Sequence, residues 1–136
     1  MAELHAAVTD THPLLFHASG RWAGKGARAR RLFEACERRE ALIYVPAAVI
    51  WECGLLARAG KVRLERPLRR LFEDLFSNSA FQPLDLTPEQ VYLAAEDRPN
   101  DDPFDALVCA AARVLELPLL TRDEDIRAWG RVETVW

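Results

Sequence analysis

The chain has 136 residues, half of them hydrophobic, which fits one domain spanning residues 1–136. Its formal net charge is -3, which argues against a protein that binds nucleic acid by bulk positive charge alone. No apolar run approaches the ~20 residues that span a bilayer. The N-terminal segment carries no basic stretch followed by a long apolar one, so neither membrane insertion nor a secretory signal is expected.

The predicted elements alternate short apolar strands with longer helical segments. Proline near a first helical turn and glycine past a last one mark several helix ends. In chain order the prediction is strand 4–8, helix 13–18, helix 27–39, strand 42–45, helix 46–59, helix 67–76, strand 81–84, helix 88–96 capped by Thr87, helix 102–116, strand 117–121, helix 123–129 and strand 132–135.

This alternation predicts an α/β fold, with a mostly parallel central sheet and helices on both faces. The three cysteines are far apart and form no Cys-x-x-Cys pair, so we interpret them as buried, reduced thiols of a cytoplasmic protein. In open parallel sheets, ligands bind outside the carboxyl ends of the strands. The residues that directly follow strands are therefore the first candidates for a site.

Asp10 and Asp123 both stand at the carboxyl ends of predicted strands. If both strands are parallel and central, the two carboxylates project at the same edge of the sheet. The alternative is that each aspartate caps the helix that follows it, a position that aspartate favours. Taken singly, the sequence leaves these two interpretations open.

Glu52 is the one charged residue between Val45 and Ala57. At helical spacing its neighbours are apolar, and an uncompensated carboxylate there would cost several kcal/mol. The alternatives are a buried ion pair with an arginine and a role in a site, and the sequence favours the site.

The segment Asp102-Pro103-Phe104-Asp105 opens the helix 102–116. Asp102 fits the cap, Pro103 the first turn and Asp105 the positive end of the helix dipole. Those structural roles alone explain both aspartates. The functional interpretation adds that an all-apolar run follows Asp105, so this helix is deeply packed and its first turn points at the edge that carries Asp10.

Four clustered carboxylates suit a hard divalent cation such as Mg²⁺ or Mn²⁺, which takes oxygen ligands and keeps several waters. Such a cation can activate water against a phosphate. The sequence contains no nucleophile elbow and no phosphate-binding glycine loop. A phosphatase with Asp10 as covalent nucleophile is a weaker alternative, because His12 stands where those enzymes usually have a second aspartate.

Four segments in order resemble the PIN-domain family, in particular toxins of the VapC type. The resemblance is carried by Val8-Thr9-Asp10-Thr11-His12, by Trp51-Glu52 after Val45-Pro46, by Asp102-Pro103-Phe104-Asp105, and by Leu119-Leu120-Thr121-Arg122-Asp123. Two positions depart from many members: Ala106 stands where an arginine is common, and Asn100-Asp101 where a histidine is common.

The resemblance implies a ribonuclease that uses Mg²⁺ or Mn²⁺, acts on RNA, pairs with a cognate antitoxin and forms a homodimer. By position, Asp10, Glu52, Asp105 and Asp123 would form the catalytic and metal-binding site. Asp102 and Asp125 would be accessory at most, and Thr121 a hydrogen-bonding neighbour. The alternative from another class is an inert binding module that keeps the fold and acts through a protein partner.

Positive and aromatic side chains give candidates for RNA contact, although charged helix faces are usually just solvated. Arg122 adjoins the predicted site. The basic candidates are Arg28, Arg30, Arg31, Arg38, Arg39, Arg58, Lys61, Arg63, Arg66, Arg69 and Arg70. The four tryptophans could stack on bases, but packing is expected for most of them.

Overall fold

Five parallel strands form the central sheet of this computed structural model, which describes residues 4–136. In chain order they are β1 (Ala6–Thr9), β2 (Leu42–Pro46), β3 (Phe81–Leu84), β4 (Leu119–Leu120) and β5 (Thr134–Val135). Their order across the sheet is β3-β2-β1-β4-β5, and every pairing is parallel. The predicted α/β fold with a parallel sheet is confirmed, and β1 lies at the centre, where its carboxyl end has neighbours on both sides.

Seven helices flank the sheet in this part of the chain. They are α1 (Thr11–Ser19), α2 (Ala27–Glu37), α3 (Ala47–Arg58), α4 (Leu68–Phe76), α5 (Pro88–Glu96), α6 (Pro103–Leu115) and α7 (Glu124–Trp129). None of the helices in residues 4–136 is both long and apolar enough to cross a membrane.

Several elements differ from their predicted bounds, at both edges of the sheet. Helix α1 begins at Thr11 rather than at residue 13, because Asp10 caps it and Pro13 fits a first turn whose N–H groups need no helical partner. Strand β4 is shorter than the predicted 117–121, because the Leu117 N–H bonds to the Ala112 carbonyl and closes the end of α6. The first strand is shifted to Ala6–Thr9 and the last is shortened to Thr134–Val135.

The central strands β1 and β4 are buried on both faces, as expected for a parallel sheet between helices, whereas Pro83 in the edge strand β3 is exposed. In β1 and β4, Ala7, Val8, Leu119 and Leu120 are all fully buried. Helix α6 packs against β1 through a run of small side chains, and its residues 108–112 are at most 2% exposed. Small side chains allow the helix to approach closely, so the first turn of α6 is held near the end of β1.

Gly26 allows the ring of Trp136 to pack closely against the backbone. Gly26 has φ +60°, and a Cβ built there would lie 3.0 Å from the ring of Trp136. That ring packs against Trp22, with centroids 6.0 Å apart. The position therefore needs glycine for two reasons, the left-handed backbone and the close approach of the ring.

We expect Gly26→Ala to lower the free energy of unfolding by about 1 kcal/mol more than Gly24→Ala does. Gly24 is the matched control, because its φ is +74° and a Cβ there would meet nothing within 4 Å. Both variants carry the backbone strain, and only Gly26→Ala adds the clash with the ring. Urea unfolding followed by tryptophan fluorescence measures the difference, and equal losses would contradict this account.

Candidate active site

Asp10 is held in place through both of its carboxylate oxygens. It follows β1, caps α1 and is 8% exposed. Its Oδ1 accepts a hydrogen bond from the Thr11 N–H at 2.8 Å, and its Oδ2 accepts one from the Thr121 hydroxyl at 2.7 Å. Burial raises the pKa of Asp10 and the charge of Glu52 raises it further, while the two hydrogen bonds act in the opposite direction. Asp10 is thus a helix cap and also a buried carboxylate at the sheet edge.

Glu52 lies in the second turn of α3, and its partner is a hydroxyl group. The Thr11 side chain donates a hydrogen bond to Glu52 Oε1, while the Thr11 backbone N–H bonds to Asp10. Among residues 4–136, Glu52 forms no ion pair with an arginine, the alternative that the sequence left open. Burial raises the pKa of the half-buried Glu52, and the charge of Asp102 adds to this effect.

Asp105 lies in the first turn of α6, which Asp102 caps by accepting hydrogen bonds from the N–H groups of Phe104 and Asp105. The Asn100 amide donates to Asp105 Oδ2 at 3.0 Å and reaches Asp125 at 3.3 Å. Burial, followed by the charges of nearby aspartates, raises the pKa of Asp105 to about 7, although the Asn100 hydrogen bond lowers it.

Asp123 is tied to Asp10 through Thr121. The Thr121 hydroxyl donates to Asp10 and accepts a hydrogen bond from the Asp123 N–H at 3.1 Å. The Asp123 carboxylate in turn caps α7 by accepting from the Ile126 N–H at 3.0 Å. Asp123 therefore both caps a helix and lies at the sheet edge, as Asp10 does.

The four predicted carboxylates influence one another electrostatically. The charges of Asp10 and Asp123 raise the pKa of Asp105, and the charge of Glu52 raises that of Asp10. Within residues 4–136, none of the four forms a salt bridge with a basic side chain. The cluster therefore carries negative charge that no ion pair in this part of the chain offsets.

The arrangement and the chemistry of the cluster bear differently on metal binding. Among the described residues, no group of three or more histidine, cysteine, aspartate or glutamate side chains is arranged so that it could hold a metal ion. The chemistry of the donors nevertheless fits a hard divalent cation, since all are carboxylates and none is paired with a basic group. Loading a cation would require the carboxylates to move closer together.

Thr11 and Asn100 are the site residues that the sequence analysis did not single out. Each bonds a carboxylate of the cluster, Thr11 from the position after Asp10 and Asn100 from the loop before α6. A signal existed for Asn100, because asparagine shortly before Asp-Pro is typical of a turn that leads into a helix, and its Oδ1 accepts from the Asp102 N–H. Nothing in the sequence alone pairs Thr11 with Glu52.

His12 and Arg122 border the cluster on the α1 side. Burial lowers the pKa of His12, and the positive charge of Arg122 lowers it further. The guanidinium of Arg122 lies over the ring of Phe16, 5.1 Å from its centroid. A fixed positive group thus stands next to Asp123 at the edge of the cluster.

Comparison with known proteins identifies the family. The model of the PIN domain matches residues 7–132, so the chain belongs to the PIN-domain family. No curated protein matches the chain.

Solved structures share the fold at low sequence identity. A toxin-antitoxin complex from Klebsiella pneumoniae gives a TM-score of 0.63 at 19% identity, with 96% of each chain covered. VapBC2 from Rickettsia felis, bound to a DNA fragment from its promoter, gives 0.67 at 12% identity, covering 95% of this chain and 96% of that one. DNA-bound VapBC from Salmonella typhimurium gives 0.62 at 14% identity, with 96% of each chain covered. At these identities the similarity shows the fold alone.

We expect the stability of the metal-free protein to fall as the pH rises through about 7, and Asp105→Asn to reduce this fall. The pKa of Asp105 rises from an ordinary 3.8 to about 7 on folding, so the folded state binds the proton more tightly. The resulting stability is complete below about pH 4 and is lost as the pH passes 7. At pH 8 in EDTA the variant should be more stable than wild type by about 1 kcal/mol, a figure reduced for partial exposure.

Urea unfolding between pH 4 and pH 8 measures this dependence. Asp85→Asn is the control, because Asp85 is an exposed aspartate outside the cluster. A wild-type pH profile that Asp105→Asn reproduces would contradict the expected coupling.

Proposed function

We propose that this PIN-domain chain is a metal-dependent endoribonuclease, the toxin component of a type II toxin–antitoxin pair. One observation carries the proposal: carboxylates from four separate segments lie at the carboxyl edge of the parallel sheet, and within residues 4–136 none of them forms a salt bridge. A structural cluster of this kind is normally offset by arginine or lysine, because uncompensated like charges destabilise the fold. A site that binds a cation explains why the charges are left unpaired.

Asp10, Glu52, Asp105 and Asp123 are the residues that would hold Mg²⁺ or Mn²⁺. When bound, the cation neutralises charge on the phosphate and lowers the pKa of an attacking water. The two threonines fix the directions of the carboxylate oxygens, Thr121 at Asp10 and Thr11 at Glu52. The Asn100 amide orients Asp105, which loses its proton near neutral pH and then adds a charge to the site.

RNA contact is proposed at the edge of the cluster. Arg122 is exposed beside Asp123 and is held by the ring of Phe16, which suits it to contact a backbone phosphate. Several of the other basic candidates are partly neutralised on their own helices or nearby. These pairs are Arg30 with Glu34, Arg38 with Glu40, and Arg66 and Arg70 with Asp74.

An antitoxin partner, a homodimer and a cytoplasmic location belong to the same proposal. The antitoxin is supported by the similarity to structures that are themselves toxin-antitoxin complexes. The cytoplasm is supported by three cysteines that are buried and unbonded. The alternative, an inert PIN-like binding module, differs from the proposal in a measurable way, since it would neither bind a divalent cation nor cleave RNA.

We expect the purified protein to cleave a mixed RNA pool in Mg²⁺ or Mn²⁺ and to lose this activity in EDTA. Asp10→Asn should reduce cleavage by about 100-fold or more, because it removes a carboxylate charge and retains the cap oxygen. Thermal unfolding of the variant is the control for folding. Cleavage that persists in EDTA or in Asp10→Asn would refute the proposed chemistry, and a folded protein that neither cleaves RNA nor binds the metal would favour the inert module.

Glu52→Gln should weaken the affinity for Mn²⁺ by about tenfold or more, because the amide keeps the size of the side chain and removes its charge. Isothermal titration calorimetry measures the affinity without depending on turnover. Glu89→Gln is the matched control, since Glu89 is exposed in the first turn of α5, away from the cluster. Titration curves that do not change on Glu52→Gln would remove Glu52 from the proposed metal site.

A further inference from the structure

Trp51 is unusual among the tryptophans of this chain because its side chain is largely in water. It is 62% exposed, whereas Trp22 is 4% exposed and Trp129 and Trp136 are partly buried. Packing is expected for most of the four tryptophans, and Trp51 is the exception. An indole on the surface leaves a large apolar area in contact with water, which often marks a site of binding.

The exposed indole is held at one edge by a second aromatic ring. Trp51 meets Phe104 in an edge-to-face arrangement, with centroids 5.4 Å apart and planes at 68°. Such a contact stabilises one orientation of the indole. Most of the ring surface remains free, so the pair forms a fixed aromatic platform.

This platform borders the acidic cluster. Trp51 directly precedes Glu52 on α3, and Phe104 directly precedes Asp105 in the first turn of α6. The two rings therefore bridge the same two helix segments that supply two of the four carboxylates. A ligand whose reacting phosphate lies at the cluster would place its adjoining groups within reach of the platform.

The chemistry of the surroundings favours a nucleobase over a phosphate as the group that lies on Trp51. Glu52, Asp102 and Asp105 make this end of the two helices negative, which disfavours a phosphate anywhere except at a bound cation. A base is neutral and has a π face that stacks on an indole whatever its sequence. Bases in a duplex are already stacked on each other, so only an unpaired, splayed base can occupy the platform.

We propose that Trp51, oriented by Phe104, is a substrate-positioning residue that stacks on an unpaired base next to the scissile phosphate. The inference rests on the proposed nuclease function. In this role Trp51 contributes to binding rather than to the chemical step. Its removal should therefore raise KM and leave kcat nearly unchanged.

The test compares Trp51→Ala, Trp51→Phe and the control Tyr92→Ala. Tyr92 is 60% exposed on α5, a helix that carries none of the four carboxylates, so its loss removes a similar aromatic area away from the cluster. The probe is a fluorescein-labelled 12-mer of uridine, with a series in which one position at a time is abasic. Affinities are measured by fluorescence anisotropy in Mg²⁺, with each variant also carrying Asp10→Asn so that the RNA is not cleaved. KM and kcat are measured by steady-state cleavage with the same variants that lack Asp10→Asn.

We expect Trp51→Ala to weaken binding and to raise KM by about tenfold, Trp51→Phe to restore most of the affinity, and Tyr92→Ala to have no effect. With Trp51 present, affinity should fall at one abasic position, and Trp51→Ala should abolish that sensitivity. Size-exclusion chromatography of the same variants reports the oligomeric state.

Two results would overturn the inference. In the first, the wild type cleaves RNA, and Trp51→Ala changes neither KM nor affinity. The stacking role of Trp51 then fails, while the nuclease function stands. The other is a weaker affinity that accompanies loss of an oligomer, with an abasic series that shows no sensitive position, because Trp51 would then be a contact between protein chains. If wild type binds with the expected abasic pattern but never cleaves, the stacking stands and the nuclease function fails.

Discussion

The convergence of like charges at the carboxyl edge of the sheet is the constraint on which the rest of this molecule depends. Burial is the largest cause that raises the pKa of Asp10 and of Asp105, and nearby negative charges raise both further, Glu52 at Asp10 and the aspartates Asp10 and Asp123 at Asp105. The structure offsets the charge mainly with backbone N–H groups and hydroxyl groups. Asp10, Asp102 and Asp123 each cap a helix, so the positive ends of α1, α6 and α7 all face this edge.

Two threonines link three of the four acidic residues, partly through backbone N–H groups. Thr121 stands between Asp10 and Asp123, and Thr11 stands between Asp10 and Glu52. Hydroxyl groups suit this task because they order the oxygens without neutralising them. An arginine in the same place would have stabilised the cluster more strongly, but it would have removed the charge that a cation needs.

Much of the candidate site could be predicted from the sequence, because its main residues stand at positions with a strong local signal. Asp10 and Asp123 follow apolar strands, and a charge among apolar neighbours draws attention to Glu52. The partners of these residues could not be predicted in the same way. Thr11 and Glu52 are 41 residues apart, and Thr121 and Asp10 are 111 apart, so no local pattern links them.

The sequence by itself determined the α/β architecture, since alternating strand and helix periodicity allows few other arrangements, and it predicted the four acidic residues of the candidate site. Only the tertiary structure decided what the other side chains do. It placed Trp51 in water, although the apolar segment around it predicts burial, because the outer side of α3 faces away from the sheet and Phe104 covers only one edge of the indole. It also decided that Asp10 and Asp123 are both helix caps and members of the candidate site, because α1 and α7 start where β1 and β4 end.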